Sequence, residues 1–339
     1  MAVIDGNDRR RLAYLGRTSS KSESRGAVEQ TLSGHEALVN DVAVIDSQRI
    51  VSASDDGTLK VWNLQSGTGS TENSSRKVEQ TLSGHGRSVL SVAVIDSQRI
   101  VSASADGTLG VWNLQSGAVE QTLSGHENIV FGVAVIDSQR IVSASDDGTL
   151  KVWNLQSGTV EQTLIGDEIY VLCVAVIDAQ RIVSASSDHT LKVWNLESGA
   201  LEQTLIGHEA SVCGVAVIDA ADGIGRRIVS ASDDRMLKVW NLESGVVEQT
   251  LSGHEDWVRG VAVIDGKRIV SASDDRTLKV WSIETGQVLV SIGLDGAPQC
   301  VAVTRHEGRT LVVAGDAAGA LYCLELVEPQ SGQGDKAKR

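Results

Sequence analysis

The sequence has no apolar run near the roughly 18 residues that a membrane-crossing helix needs. It is also poor in positive charge, with 30 basic against 44 acidic residues and a net charge of −14. Residues 1–27 carry six basic and three acidic side chains, and residues 327–339 three and two, which leaves −18 on the body between them. Phosphate backbones and anionic lipid are repelled by such a body, so neither nucleic acid nor a membrane is expected as a partner. Four cysteines (Cys173, Cys213, Cys300 and Cys323) form no C-x-x-C pair and have no histidine at zinc spacing. That speaks against a structural metal and for reduced thiols. The opening MAVIDGNDRRRLAYLG places Asp and Arg where a secretory leader needs an apolar core, so a cytoplasmic location is expected. No G-x-x-x-x-G-K-[ST] phosphate loop occurs, and no cofactor is called for.

What is present is repetition. Registered on Trp62, Trp112, Trp153, Trp194, Trp240 and Trp281, the chain recurs at spacings of 50, 41, 41, 46 and 41 residues. The two longer gaps hold polar inserts, Thr68–Lys77 and Ala220–Arg227, which read as surface loops. Each unit reads as four short strands, VEQTL, VAVI, RIVSAS and TLKVWNL, separated by turn signals and without helical periodicity. VAVI is apolar on both faces and is expected to be buried on both, whereas VEQTL alternates as a half-exposed outer strand. A four-stranded unit of this size cannot bury both faces alone, and stacking such sheets around an axis solves the problem: a β-propeller.

The GH near the start of each unit, SASDDGTLKVWNL at its end and the period near 41 resemble the WD-repeat family. The resemblance covers residues 28–326. Its near-identical units are similar to the WD-repeat arrays of nucleotide-binding sensor proteins, where the propeller recognises a cue and a separate domain acts. Here such an effector is absent or on another chain. A degenerate seventh unit, Val288–Leu326, sets Leu294, Ala318 and Leu324 against the usual His, Asp and Trp. The resemblance therefore implies an all-β, seven-bladed propeller of four-stranded antiparallel blades, with VEQTL at 28–32 closing the last. Residues 1–27 stand outside as an extension, with an echo of half a unit, and residues 327–339 as a polar tail.

The resemblance also implies a hydrogen-bonded chain of His, Ser, Asp and Trp inside each blade. The residues are His35, Asp56 and Trp62, with Ser52 or Ser54; His85, Asp106 and Trp112; and His126, Asp147 and Trp153. His208, Asp234 and Trp240 follow, then His254, Asp275 and Trp281. Five equivalent copies argue for architecture and against a catalytic triad. The fourth unit has Asp167 in the His position with Asp188 and Trp194, and two nearby carboxylates predict a weaker blade.

Variation concentrates in two places. Between GH and VAV stand the pairs Leu38/Asn40, Ser88/Leu90, Ile129/Phe131, Tyr170/Leu172, Ser211/Cys213 and Trp257/Arg259. Around the turn Asp stand Asp55, Ala105, Asp146, Ser187, Asp233 and Asp274 before it, and Gly57, Gly107, Gly148, His189, Arg235 and Arg276 after it. In the family these places ring the top of the channel, where partners dock. Outside the six repeat tryptophans there are five aromatics, and Phe131, Tyr170 and Trp257 occupy the variable pairs. Aromatics amid polar groups are the stuff of binding hot spots; the bland alternative is that Leu90, Ile129, Phe131 and Leu172 plug the channel mouth. Arg235, Arg259 and Arg276, with His189, suggest a positive arc suited to an acidic or phosphorylated peptide. A monomeric, non-enzymatic module binding a protein or peptide is the expectation, with a propeller enzyme at the channel mouth as the alternative.

Overall fold

The computed structural model describes residues 25–64, 78–166, 169–219 and 225–327. The first insert, the suggested extra half-unit, the far C-terminal tail and Asp167 lie outside the described residues, as does the start of the second insert. The described residues form seven four-stranded antiparallel sheets and no helix, hence none long and apolar enough to cross a membrane. In sequence order the first six blades begin at the strands Val39–Val44, Val89–Val94, Val130–Val135, Val171–Asp178, Val212–Ile218 and Val258–Asp265. The seventh combines Pro298–His306, Arg309–Asp316 and Ala320–Val327 with the first strand of the chain, Arg25–Ser33. That strand runs antiparallel to the last, Ser33 opposite Ala320 and Leu32 opposite Leu321, so the chain's two ends of described structure close one sheet.

The core lies between blades rather than within them. Leu32, Cys300, Leu311, Val313, Leu321 and Cys323 of the seventh blade pack with Val39, Val42, Ile50, Trp62 and Leu64 of the first. Val51, Ala53, Leu59, Val61 and Leu82 of the first blade pack in the same way on Val89, Val92, Ile100, Trp112 and Leu114 of the second. Each sheet thus buries its apolar faces only because a neighbour stands on either side, and closure supplies that neighbour to every blade.

One strand assignment needs correction. The strand buried on both faces is RIVSAS, where Ile50, Val51, Ser52, Ala53 and Ser54 are all buried, and not VAVI. The VAVI strand is innermost, and Ala43 and Val44, which pack toward the neighbouring blades on opposite sides, are only half-buried at this inner edge. Both strands are apolar in sequence, so composition alone does not say which one borders a channel.

Candidate partner-docking site at the channel mouth

Inside each complete blade a polar chain pins the GH turn to the sheet. Trp62 Nε1 donates to Ser52 Oγ at 2.8 Å, and Ser52 Oγ lies 2.7 Å from His35 Nε2. His35 Nδ1 lies 2.7 Å from Asp56 Oδ2, which also accepts the Glu36 amide. The acceptor-only carboxylate fixes the proton on Nδ1, so the serine hydroxyl donates to Nε2 and accepts from the indole. Ser52 is the member of this chain, while Ser54 accepts the Asp56 amide and donates to the Ala37 carbonyl. The same bonds recur at His85, His126, His208 and His254. Distances of this kind would suit an acid–base–nucleophile relay, but the serine is fully buried and already bonded to a tryptophan. Burial lowers the His35, His126 and His254 pKa values against the opposing pull of their aspartates. Burial alone would raise Asp56, yet hydrogen bonds from Thr58, His35 and the Glu36 amide together hold it at about 2.

Two blades solve the problem differently. In the fourth, Lys192 Nζ donates to Asp188 Oδ2 at 2.7 Å, and among the described residues Ser184 keeps only its bond from Trp194 Nε1 at 2.9 Å. A reading from carboxylates alone had left out this ammonium, which in other blades reaches outward to Thr81, Thr163, Thr250 or Ser291. In the seventh, Tyr322 Oη donates to buried Asp316 Oδ2 at 2.9 Å and accepts the Gly296 amide. Asp316 Oδ1 accepts the amides of Ala318 and Ala320, tying the turn shut without His or Trp.

The two variable places meet at one end of every repeat blade. Backbone bonds join them: Asp55 N to Leu38 O, Ala105 N to Ser88 O, Asp146 N to Ile129 O, Ser187 N to Tyr170 O, Asp233 N to Ser211 O and Asp274 N to Trp257 O. The second member of each pair is a β-bulge, skipped by the register between Val39 and Asp41, Val89 and Ser91, Val130 and Gly132, and so on round the ring. Asn40, Leu90, Phe131, Leu172, Cys213 and Arg259 occupy it, with Gln299 completing the seventh blade, and all are half-buried.

Polar members of this ring bind the aspartates that stand just before the turn Asp. Asn40 Nδ2 donates to Asp55 Oδ1 at 2.8 Å and to the Val89 carbonyl of the next blade at 3.0 Å. Cys213 Sγ donates to Asp233 Oδ1 at 3.3 Å. Arg259 donates to Asp274 at 2.8 Å and reaches Asp233 at 3.4 Å, while Gln299 Nε2 donates to Asp274 Oδ1 at 2.7 Å. Its guanidinium carbon also lies 4.5 Å from the Trp257 ring centroid. Burial would lower the Arg259 pKa, but Asp274 and Asp233 raise it. Arg259 therefore drops out of the expected positive arc: its charge is engaged inside the rim and its guanidinium lies over an indole. Asn128 Nδ2 donates to Asp146 in a short contact, a partner the sequence did not reveal.

Exposure separates anchors from lining. Tyr170 is 48% and Trp257 46% exposed, whereas the six repeat tryptophans are 2% exposed or less. Phe131, Leu90, Leu172 and Ile129 are half-buried. On two outer strands Ile165 and Ile206 stand where Ser33, Ser83, Ser124 and Ser252 stand on others, and are 76% exposed; the sequence held that signal, but it lay outside the two variable places. His189, Arg235 and Arg276 are exposed, and each has a left-handed backbone, φ 73°, 71° and 65°. Gly57, Gly107 and Gly148 hold the same position at 81°, 85° and 78°. A side chain there costs on the order of 1 kcal/mol.

A second ring just inside the mouth was missed. Asp41 Oδ2 accepts the Ser91 hydroxyl at 2.9 Å and the Val92 amide at 3.0 Å, which bonds the first inner strand to the second across the bulge. Burial pushes Asp41 up to about 6. Gly132, Cys173, Gly214, Gly260 and Cys300 take the corresponding places, and a Cβ on Gly132 or Gly260 would stand 3.4 or 3.5 Å from the next inner strand. Burial raises Cys173 to about 11 and Cys213 to about 12, and lifts Cys300 well above the usual thiol range. These are protonated, weakly nucleophilic thiols. Among the described residues no cluster of His, Cys, Asp and Glu is arranged to hold a metal.

Comparison with known families agrees with this architecture. A profile described as WD domain, G-beta repeat, matches residues 26–63, 76–113, 117–154, 158–195 and 199–241, together more than half of the chain. A second, described as TEP-1 C-terminal beta-propeller, matches residues 254–326. No curated protein matches the sequence.

Proposed function

From a chain that belongs to the WD-repeat family and closes into seven blades, we propose a non-enzymatic protein-interaction module that docks a protein or peptide at the channel mouth. WD-repeat propellers commonly serve as interaction scaffolds and are generally not enzymes. The observation that carries the reading is the contrast among aromatics: Tyr170 and Trp257 stand about half exposed in a chain that buries all six repeat tryptophans. Burying either ring against a partner would recover hydrophobic free energy of roughly 2 kcal/mol. Trp257 is also braced in advance by Arg259, so less side-chain entropy is lost on docking.

The docking end spans blades four to six, with Tyr170, Ser187 and His189 on the fourth, Ser211, Asp233 and Arg235 on the fifth, and Trp257, Asp274 and Arg276 on the sixth. Leu38, Asn40, Asp55, Ser88, Leu90, Ile129, Phe131, Asp146, Leu172, Cys213 and Arg259 shape the rest of the rim. The module works as a single ring in the cytoplasm, and its acidic body disfavours nucleic acid and membrane surfaces.

The test is capture from native lysate by the wild type and by a Tyr170→Ala/Trp257→Ala variant. Both substituted side chains are exposed, so thermal stability should match. A protein held by the wild type and lost by the variant is the expected result. Equal capture by two folded proteins would move docking to another surface.

A further inference from the structure

The left-handed position after the turn Asp, or after Ala318 in the seventh blade, is filled by glycine in four blades, Gly57, Gly107, Gly148 and Gly319, all with φ between 78° and 87°. In three consecutive blades it carries His189, Arg235 or Arg276 at φ 73°, 71° and 65°. The turn itself does not require those side chains, since glycine builds it without strain. Strained positions that persist without a structural return are where function is to be sought.

The donors are also available. Among the described residues neither Arg235 nor Arg276 makes an ion pair, and both are exposed. Every aspartate adjoining them is already bonded. Asp233 accepts from Cys213 and Arg259, and Asp234 from His208. Asp274 accepts from Arg259 and Gln299, and Asp275 from His254. In the fourth blade Asp188 accepts from Lys192. The carboxylates beside the arc are therefore partly neutralised, while its own two guanidinium groups retain their full donor sets.

We propose that His189, Arg235 and Arg276 form a recognition arc for anionic side chains on an extended peptide segment of the partner, with Tyr170 and Trp257 as its apolar anchors. The inference rests on docking at the channel mouth and adds the chemistry of the occupant: carboxylates or phosphoryl groups spaced to meet successive blades. Arginine forks match either group bidentately.

The experiment uses the full chain and three labelled short peptides of one neutral backbone, bearing Glu, phosphoserine or Gln, read by fluorescence anisotropy at neutral pH. Wild type is compared with a His189→Gly/Arg235→Gly/Arg276→Gly variant, which restores the residue of the other blades and should fold at least as well. The expected result is that wild type binds the Glu or the phosphoserine peptide about tenfold more tightly than the Gln peptide. That preference should weaken with added salt and vanish in the variant. Preference for phosphoserine over Glu would identify phosphate as the group read, and equal binding would show that a carboxylate suffices. Wild type that fails to separate the charged peptides from Gln, or a variant that keeps the preference, overturns the arc. If capture from lysate is still lost in Tyr170→Ala/Trp257→Ala, the docking end survives that failure; if capture persists, the docking end itself is wrong.

Discussion

Lys192 Nζ donates to Asp188 Oδ2 at 2.7 Å in the blade where Asp167 stands at the histidine position, and Lys192 is 7% exposed. The equivalent Lys238 of the next blade reaches outward to Thr250 Oγ1 at 3.2 Å. One residue type at one repeat position thus plays two parts, decided by whether an imidazole already holds the aspartate.

Lys192→Met should therefore destabilise the protein by about 1.5–3 kcal/mol, the worth of a hydrogen bond to a charged group. Lys238→Met should stay within about 0.5 kcal/mol. Urea denaturation of the two variants, with hydrogen exchange read blade by blade, checks this. Equal effects would mean that the Lys192 contact contributes no more than a surface pair.

The serine at the centre of the polar chain separates the blades in a second way. Ser143 accepts Trp153 Nε1 at 2.8 Å and bonds His126 Nε2 at 2.7 Å, whereas among the described residues Ser184 serves only Trp194. Ser143→Ala orphans two buried groups and should cost about 2–4 kcal/mol, against about 1–2 kcal/mol for Ser184→Ala. Comparing the denaturation midpoints of the two variants measures the difference; a larger loss for Ser184→Ala would contradict the hydrogen-bond account.

Much of this was legible because the sequence states it repeatedly. A Trp register near 41 residues, GH turns and four strand segments per unit lead to the propeller, and the resemblance to the WD-repeat family implies its closure by VEQTL. Features present once are harder. Gln299 and Asp316 sit in the degenerate unit, where no neighbouring copy marks their places. The bulge after Val39 is invisible because VNDVAV reads as an ordinary strand, so the inner ring of Asp41 and Ser91 went unseen. Arg259 looked like a free charge because its partners, Asp233 and Asp274, come together only when two blades stand side by side.

The left-handed turn position yields a graded set of substitutions. At Gly57 an added Cβ meets only the Arg87 carbonyl oxygen at 3.5 Å, an ordinary contact, so Gly57→Ala should cost about 1 kcal/mol from φ alone. At Gly319 the same atom would stand 2.6 Å from the His35 carbonyl oxygen and 2.9 Å from that of Ala37. Backbone must move there, so Gly319→Ala should lose clearly more and loosen the closing blade. Arg276→Gly should gain up to about 1 kcal/mol. Thermal midpoints in that order support strain at this turn; a loss in Arg276→Gly would show that its side chain holds the fold.

Acid should weaken the ring in two stages. His35, His126 and His254 have folded pKa values depressed below 6.5, so the folded state resists a proton that the unfolded chain accepts. Their contribution is complete above about pH 6.5 and is lost as pH falls below it. The turn carboxylates Asp56, Asp106, Asp147 and Asp234, held at about 2, keep their contribution until pH falls below about 4 and lose it on the way to 2. Asp41 runs the other way: raised to about 6, it gains stability as pH falls from there toward its ordinary value, and so offsets part of the histidine loss. An Asp41→Asn variant removes that offset and leaves the histidine loss on its own. The thermal midpoint of Asp41→Asn should therefore be level above about pH 6.5, fall gently to about pH 4 and steeply below that. His254→Gln should make the gentle portion shallower while lowering the plateau. A midpoint of Asp41→Asn that stays level down to about pH 4 would mean that the buried imidazoles accept protons as readily as they do in the unfolded chain.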